Sequence, residues 1–84
     1  MITIYGKDNC YWCKESISLA KRYSLEYTYK NITYETYRTE MFEQVPSAKT
    51  VPQIFWHGKH IGGYDDFAKE IECTLGGNFG QELF

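Results

Sequence analysis

Met1-Ile2-Thr3-Ile4-Tyr5-Gly6-Lys7-Asp8-Asn9-Cys10-Tyr11-Trp12-Cys13 contains three signals in thirteen residues. Residues 1–5 alternate and carry β-branched side chains, which predicts a short strand ending at Gly6. Lys7-Asp8-Asn9 reads as a turn, with Asn9 or Asp8 available to cap a following helix. From Tyr11 to about Tyr23 the spacing becomes helical. Cys13, Ile17 and Ala20 share one face with Ser16 and Leu19 beside them, while Lys14, Glu15, Ser18 and Lys21 lie mostly opposite. A strand thus delivers a pair of cysteines to the start of a helix.

The rest of the chain extends that unit. Leu25 to Ile32 alternates and is rich in β-formers, predicting a second strand. A helix of weak intrinsic propensity is expected from about Tyr34 to Gln44, with Tyr37, Met41 and Val45 at helical spacing, and Pro46-Ser47 ends it. Val51 to Trp56 reads as a third strand, His57-Gly58-Lys59 as a turn, and His60-Ile61-Gly62 as the returning strand of a hairpin. Gly62-Gly63 marks another turn, Tyr64-Asp65-Asp66 opens a third helix reaching about Leu75, and Gly76-Gly77 stops it. Residues 76–84 are expected to be an irregular tail of a single domain spanning 1–84. The order β-α-β-α-β-β-α, with a right-handed crossover making the first two strands parallel, predicts an α/β domain. Its sheet has four strands, mixed in direction, flanked by about three helices.

Composition excludes several functions. Nine Lys and Arg against eleven Asp and Glu give a net charge of −2 over 84 residues, without the clustered basic excess of a nucleic-acid binder. No apolar run approaches the ~20 residues of a membrane-spanning helix. The N-terminal segment lacks the pattern of a secretory signal, so a cytoplasmic location is expected. Aromatic residues make up 18% of the chain; each can bury about 150–250 Å², so one compact core is feasible in a small domain. Three cysteines poorly suit a disulfide-stapled secreted fold.

The chemistry points to Cys10-Tyr11-Trp12-Cys13. A helix N-terminus presents unpaired N–H groups and about half a positive charge, which favours a thiolate, and Lys7 adds a cation three residues upstream. Both lower the expected pKa of Cys10 from ~8.5 toward the ~3.5–7.5 range of such settings. Cys10, ahead of the first turn, is assigned as the nucleophile and Cys13, nearer the core, as the resolving thiol; the pair can cycle between dithiol and disulfide. A C-x-x-C pair also serves as half of a zinc site, but His57 and His60 do not lie at zinc-finger spacing from it.

Two further segments are informative. Thr50-Val51-Pro52 begins a strand, where a proline is tolerated; by sequence physics its default is an ordinary trans bond. A cis bond, found in about 5–6% of X–Pro bonds, would leave the Val51 N–H and C=O free to pair with an extended ligand. In Gly62-Gly63-Tyr64-Asp65-Asp66 the glycines permit close backbone approach, and the aspartates can cap a helix or receive a ligand ammonium. Cys73 reads as a buried small hydrophobe, His57 and His60 as exposed hairpin residues, and the tyrosines at 27, 29, 34 and 37 as packing. The sequon Asn31-Ile32-Thr33 is read as chance.

Taken together, Lys7-x-x-Cys10-x-x-Cys13, Thr50-Val51-Pro52-Gln53-Ile54-Phe55 and His60-Ile61-Gly62-Gly63-Tyr64-Asp65-Asp66-Phe67 resemble the glutaredoxin family of the thioredoxin-like superfamily, in its order and spacing. The resemblance implies a thioredoxin-like fold, a cis Val51-Pro52 bond, and a glutathione-dependent thiol–disulfide oxidoreductase active in electron transport and cell redox homeostasis. It implies that Cys10 attacks protein disulfides or glutathione mixed disulfides and that Cys13 resolves the former. By the same carry-over Lys7 and Trp12 flank the glutathione. Thr50, Val51 and Pro52 meet its backbone, and Gly63, Tyr64 and Asp65 hold its γ-glutamyl end with help from Asp66. Lys49 and Arg38 are further candidates for its glycyl carboxylate. Glutathione is implied as co-substrate with no resident metal, the protein as a monomer, and ribonucleotide reductase as a family-level protein partner.

The chain departs from the family's usual Cys-Pro-Tyr-Cys, with Tyr11 at the proline and Trp12 at the tyrosine. Losing the proline takes rigidity from the loop. Relatives without it include proteins holding an iron–sulfur cluster between two subunits and redoxins served by thioredoxin reductase. Both stand as alternative readings, as does a noncatalytic adaptor.

Overall fold

A computed structural model describes residues 1–74. The elements are β1 (Ile2–Gly6), α1 (Tyr11–Arg22), β2 (Tyr27–Asn31), α2 (Glu35–Gln44), β3 (Gln53–Trp56), β4 (Lys59–Gly62) and α3 (Tyr64–Thr74). The order is the one expected from the sequence. The expected end of the third helix at Leu75, the Gly76-Gly77 stop and the tail lie outside the described residues.

The sheet runs β2-β1-β3-β4. β1 pairs parallel with β2 and antiparallel with β3, and β3 pairs antiparallel with β4. Strand alternation then divides the central strand between two layers. Ile2 and Ile4 join Ile54 and Trp56 of β3 in the core cluster, against Leu19 and Ala20 of α1 and Phe67 and Ile71 of α3. Tyr5 takes the opposite parity along β1 and bonds Glu40 and Gln44 of α2. Of α2 only Met41 is buried, so the three-residue stripe expected there narrows to one anchor, with Tyr37 and Val45 half-buried. In α1, Ser16 is fully buried where Ile17 was expected, and its hydroxyl donates to the carbonyl of Trp12 at 2.8 Å.

The hairpin is tighter than expected. Lys59 belongs to β4, which leaves a two-residue turn, His57-Gly58, with φ of 59° and 74°. Positive φ at both central residues is the type I′ arrangement whose twist matches paired strands. A second difference is Cys73, which is exposed rather than buried: Phe67 and Ile71 supply the inward face of α3, and position 73 turns away from it.

Candidate functional site

β1 ends on a glycine that no larger residue could replace without displacing its neighbours: a Cβ at Gly6 would lie 2.8 Å from the sulfur of Cys13. The loop beyond is fastened to β2. Tyr29 donates its hydroxyl to the Lys7 carbonyl at 3.1 Å, and Asn31 Nδ2 donates to Asp8 Oδ1 at 2.8 Å. Asn31 Oδ1 in turn accepts the Thr33 N–H at 2.8 Å, so both ends of this sequon amide are engaged within the fold. Burial, and then the neighbouring Asp8 carboxylate, push the Tyr29 hydroxyl above its ordinary pKa, keeping it a donor to the loop. By sequence Tyr29 reads as packing and the sequon at Asn31 as chance; neither bond to the loop has a local sequence signal, because Lys7 and Asp8 lie more than twenty residues away.

The loop presents Cys10 as the N-cap of α1. Its backbone is extended, and its sulfur accepts the Cys13 N–H at 3.2 Å. Asp8 and Asn9, expected as caps, do not serve; Asn9 has φ 57° and turns the chain into the helix. Cys10 and Cys13 are joined as a disulfide with Cα atoms 5.2 Å apart. Cys13 is fully buried, whereas Cys10 is half-buried, so only the first sulfur can be reached from outside.

The second segment closes beside them. The Val51-Pro52 bond is cis, as the resemblance implied and against the default of sequence physics. Cys10 Sγ lies 4.0 Å from the Val51 carbonyl oxygen, and among the described residues nothing bonds the Val51 N–H. Gln53 steadies the turn, donating Nε2 to the Thr50 carbonyl at 2.9 Å and meeting His60 Nε2 with its Oε1 at 2.7 Å.

Trp12, Thr50, Val51, Pro52, Gly63, Tyr64, Asp65 and Asp66 line one groove of about 310 Å³. Three segments far apart in the sequence, around Trp12, Thr50–Pro52 and Gly63–Asp66, therefore meet where the sequence placed a ligand. Within it the Trp12 ring lies 5.0 Å from that of Tyr64. Gly62 takes φ 128°, a conformation closed to most side chains, and the Asp66 carboxylate packs where its Cβ would be. Gly62 thus lets the Asp66 carboxylate pack against the chain at the start of α3, while Gly63 lines the groove itself. Lys7 lies outside the groove. It lines an adjoining hollow of about 190 Å³ with Lys49, Thr50 and Val51, so two cations flank the Val51 end. Arg38 is drawn elsewhere, donating Nη1 to the Ile32 carbonyl at 3.1 Å. Among the described residues no group of three or more His, Cys, Asp or Glu side chains is placed to hold a metal.

The family model described as Glutaredoxin matches residues 2–61. The chain is 39% identical to glutaredoxin 1 of Escherichia coli over 79 residues, 86% of this chain and 93% of that one. It is 30% identical to glutaredoxin-1 of vaccinia virus over 71 residues, 77% and 66% of the two chains. The NMR structure of reduced E. coli glutaredoxin superposes with a TM-score of 0.77 at 32% identity, over 89% of this chain and 96% of that one. A buckwheat glutaredoxin–glutathione complex superposes with a TM-score of 0.70 over 90% and 70%; at 21% identity that likeness shows a shared fold.

Proposed function

The chain belongs to the glutaredoxin family and is a thiol–disulfide oxidoreductase working through the Cys10–Cys13 pair, and on that premise we propose that glutathione is its reductant and co-substrate. One observation carries the reading: the groove with an acidic end at Asp65 and Asp66 runs past an unpaired Val51 N–H, and two lysines flank its Val51 side. Glutathione is a tripeptide with an ammonium and two carboxylates. Its cysteinyl backbone pairs with Val51 next to Cys10, and Thr50 and Pro52 fix that edge. Its γ-glutamyl end meets Gly63, Tyr64 and Asp65, with Asp66 beside them, and Trp12 forms the wall. Its glycyl carboxylate turns toward Lys7 and Lys49.

With a glutathione mixed disulfide, the Cys10 thiolate attacks the glutathionyl sulfur and expels the substrate as a thiolate, which takes up a proton. A second glutathione, as thiolate, then attacks the Cys10–glutathione bond, leaving glutathione disulfide and the Cys10 thiolate. Cys13 is needed only when the substrate is a protein disulfide, where its sulfur displaces the substrate's second thiol. The protein acts as a monomer in a reducing cytoplasm, and the disulfide of ribonucleotide reductase is one target to assay.

The test is NADPH consumption with glutathione, glutathione reductase and a glutathionylated small thiol. Cys10→Ser is expected to abolish turnover and Cys13→Ser to retain it. Full activity in Cys10→Ser would overturn the assignment.

A further inference from the structure

Tyr11 and Trp12 hold much of their ring surface in water, 64% and 51% of their area exposed. The rings stand in series with a third. Tyr11 meets Trp12 edge to face at 4.8 Å, and Trp12 meets Tyr64 at 5.0 Å. Trp12 and Tyr64 line the groove, whereas Tyr11 is not among its lining residues and extends the strip beyond it. Asp65 and Asp66 follow Tyr64 at the start of α3, both exposed, and among the described residues neither has an ion-pair partner. Three adjoining rings set at angles to one another, 83° between Tyr11 and Trp12 and 39° between Trp12 and Tyr64, lead to two carboxylates, an arrangement complementary to a long basic side chain. Its methylenes lie along the rings while its charged head reaches the acidic end.

We propose that this strip receives an arginine or lysine next to the attacked cysteine of a polypeptide disulfide, and that Tyr11 is a specificity-determining residue for such substrates. The proposal rests on the reading of Cys10 as nucleophile. Glutathione occupies the groove and stops at Trp12 and Tyr64; a polypeptide is longer and covers Tyr11 as well. The reaction is otherwise unchanged. The Cys10 thiolate attacks one sulfur of the substrate disulfide, and the other leaves as a thiolate that takes a proton. Deprotonated Cys13 then attacks Cys10 Sγ and releases the second substrate thiol. The enzyme dithiol is oxidised to a disulfide as the substrate disulfide is reduced to two thiols.

The test is single-turnover reduction by the pre-reduced protein of three peptide disulfides that differ only in having Arg, Leu or Glu beside the attacked cysteine. The Arg peptide is expected to react fastest and the Glu peptide slowest, with the difference shrinking in high salt. Tyr11→Ala is expected to slow the Arg peptide about two- to fivefold, the worth of an exposed cation–π contact. Tyr11→Trp should preserve the rate, and turnover of a glutathionylated small thiol should stay the same in both variants. Equal rates for the three peptides, a fastest Leu peptide, or equal slowing of the small thiol by Tyr11→Ala would each overturn the inference. If the wild-type protein reduced none of the peptides, the assignment of Cys10 would fall and take this inference with it.

Discussion

The backbone amide of Cys13 donates to the sulfur of Cys10 across 3.2 Å, so the side chain that caps α1 is also the one proposed as the nucleophile. Capping by a sulfur links a structural role to a chemical one. A thiolate accepts that N–H more strongly than a thiol does, and it lies at the positive end of a twelve-residue helix. In the reduced protein the Cys10 thiol should therefore titrate below the ~8.5 of a free cysteine. Alkylation rate against pH reads this directly, best in Cys13→Ser, where one thiol titrates at the site. A midpoint at the free-thiol value would mean that the helix start does not activate the sulfur.

Gly6 gives a second prediction. A Cβ at this position would come within 2.8 Å of Cys13 Sγ and would also press on the Tyr29 ring that secures the Lys7 carbonyl. Neither neighbour is a free surface side chain. Gly6→Ala should lower stability by about 1–3 kcal/mol, the usual cost of overpacking, seen as a reduced midpoint in urea. Turnover should fall as well, because the displaced atoms belong to the dithiol and to the loop that presents it. A midpoint equal to that of the wild-type protein would show that β1 and α1 separate more easily than their packing implies.

The element order was legible because each element has a short-range signature: alternation in β1, helical spacing in α1, paired glycines before α3. The edges were less so. Lys59 reads as a turn residue until the positive φ of both His57 and Gly58 is known, and Asp8 and Asn9 look like better caps than a cysteine. The groove was legible through motifs, since Trp12, Thr50, Val51, Pro52, Gly63, Tyr64 and Asp65 do converge. What sequence could not supply were bonds across long separations. Tyr29 to Lys7, Asn31 to Asp8 and Tyr5 to Glu40 join residues with no periodic relation: the parallel register of β1 and β2 brings the first two pairs together, and the packing of α2 on the sheet brings the third.

Cys73 shows the limit of a residue-type argument. Free cysteine is often buried, yet this one is exposed on α3, away from Phe67 and Ile71. Cys73→Ser should therefore change stability by no more than about 0.5 kcal/mol, as surface substitutions usually do, and leave turnover intact. A loss of several kcal/mol in urea unfolding would place the thiol inside a contact not present among the described residues.

On the sheet face toward α2, Tyr5 donates to Glu40, which also pairs with Lys30, while Gln44 donates to the Tyr5 oxygen. Burial first, then the bond to Glu40 and its charge, push the Tyr5 hydroxyl up to about 12, against the opposing donation from Gln44. Glu40 is held below its ordinary value by the bond from Lys30 and then by that from Tyr5, with burial acting against them. The two shifts act at opposite ends of the pH scale. An unfolded tyrosine ionises near 10, so the Tyr5 contribution is complete below 10 and drains away as pH rises toward 12. An unfolded glutamate protonates near 4.5, so the Glu40 contribution is present above that value and is lost as acid protonates it in the folded state. Tyr5→Phe should lower stability at neutral pH by about 1.5–3 kcal/mol, the scale of a hydrogen bond to a charged partner, and should flatten the decline between pH 10 and 12. Glu40→Gln should weaken the acid decline. Urea midpoints measured from pH 3 to 11.5 for the three proteins decide it: parallel curves would mean that neither group titrates differently in the folded and unfolded chains, and the network would then contribute packing alone.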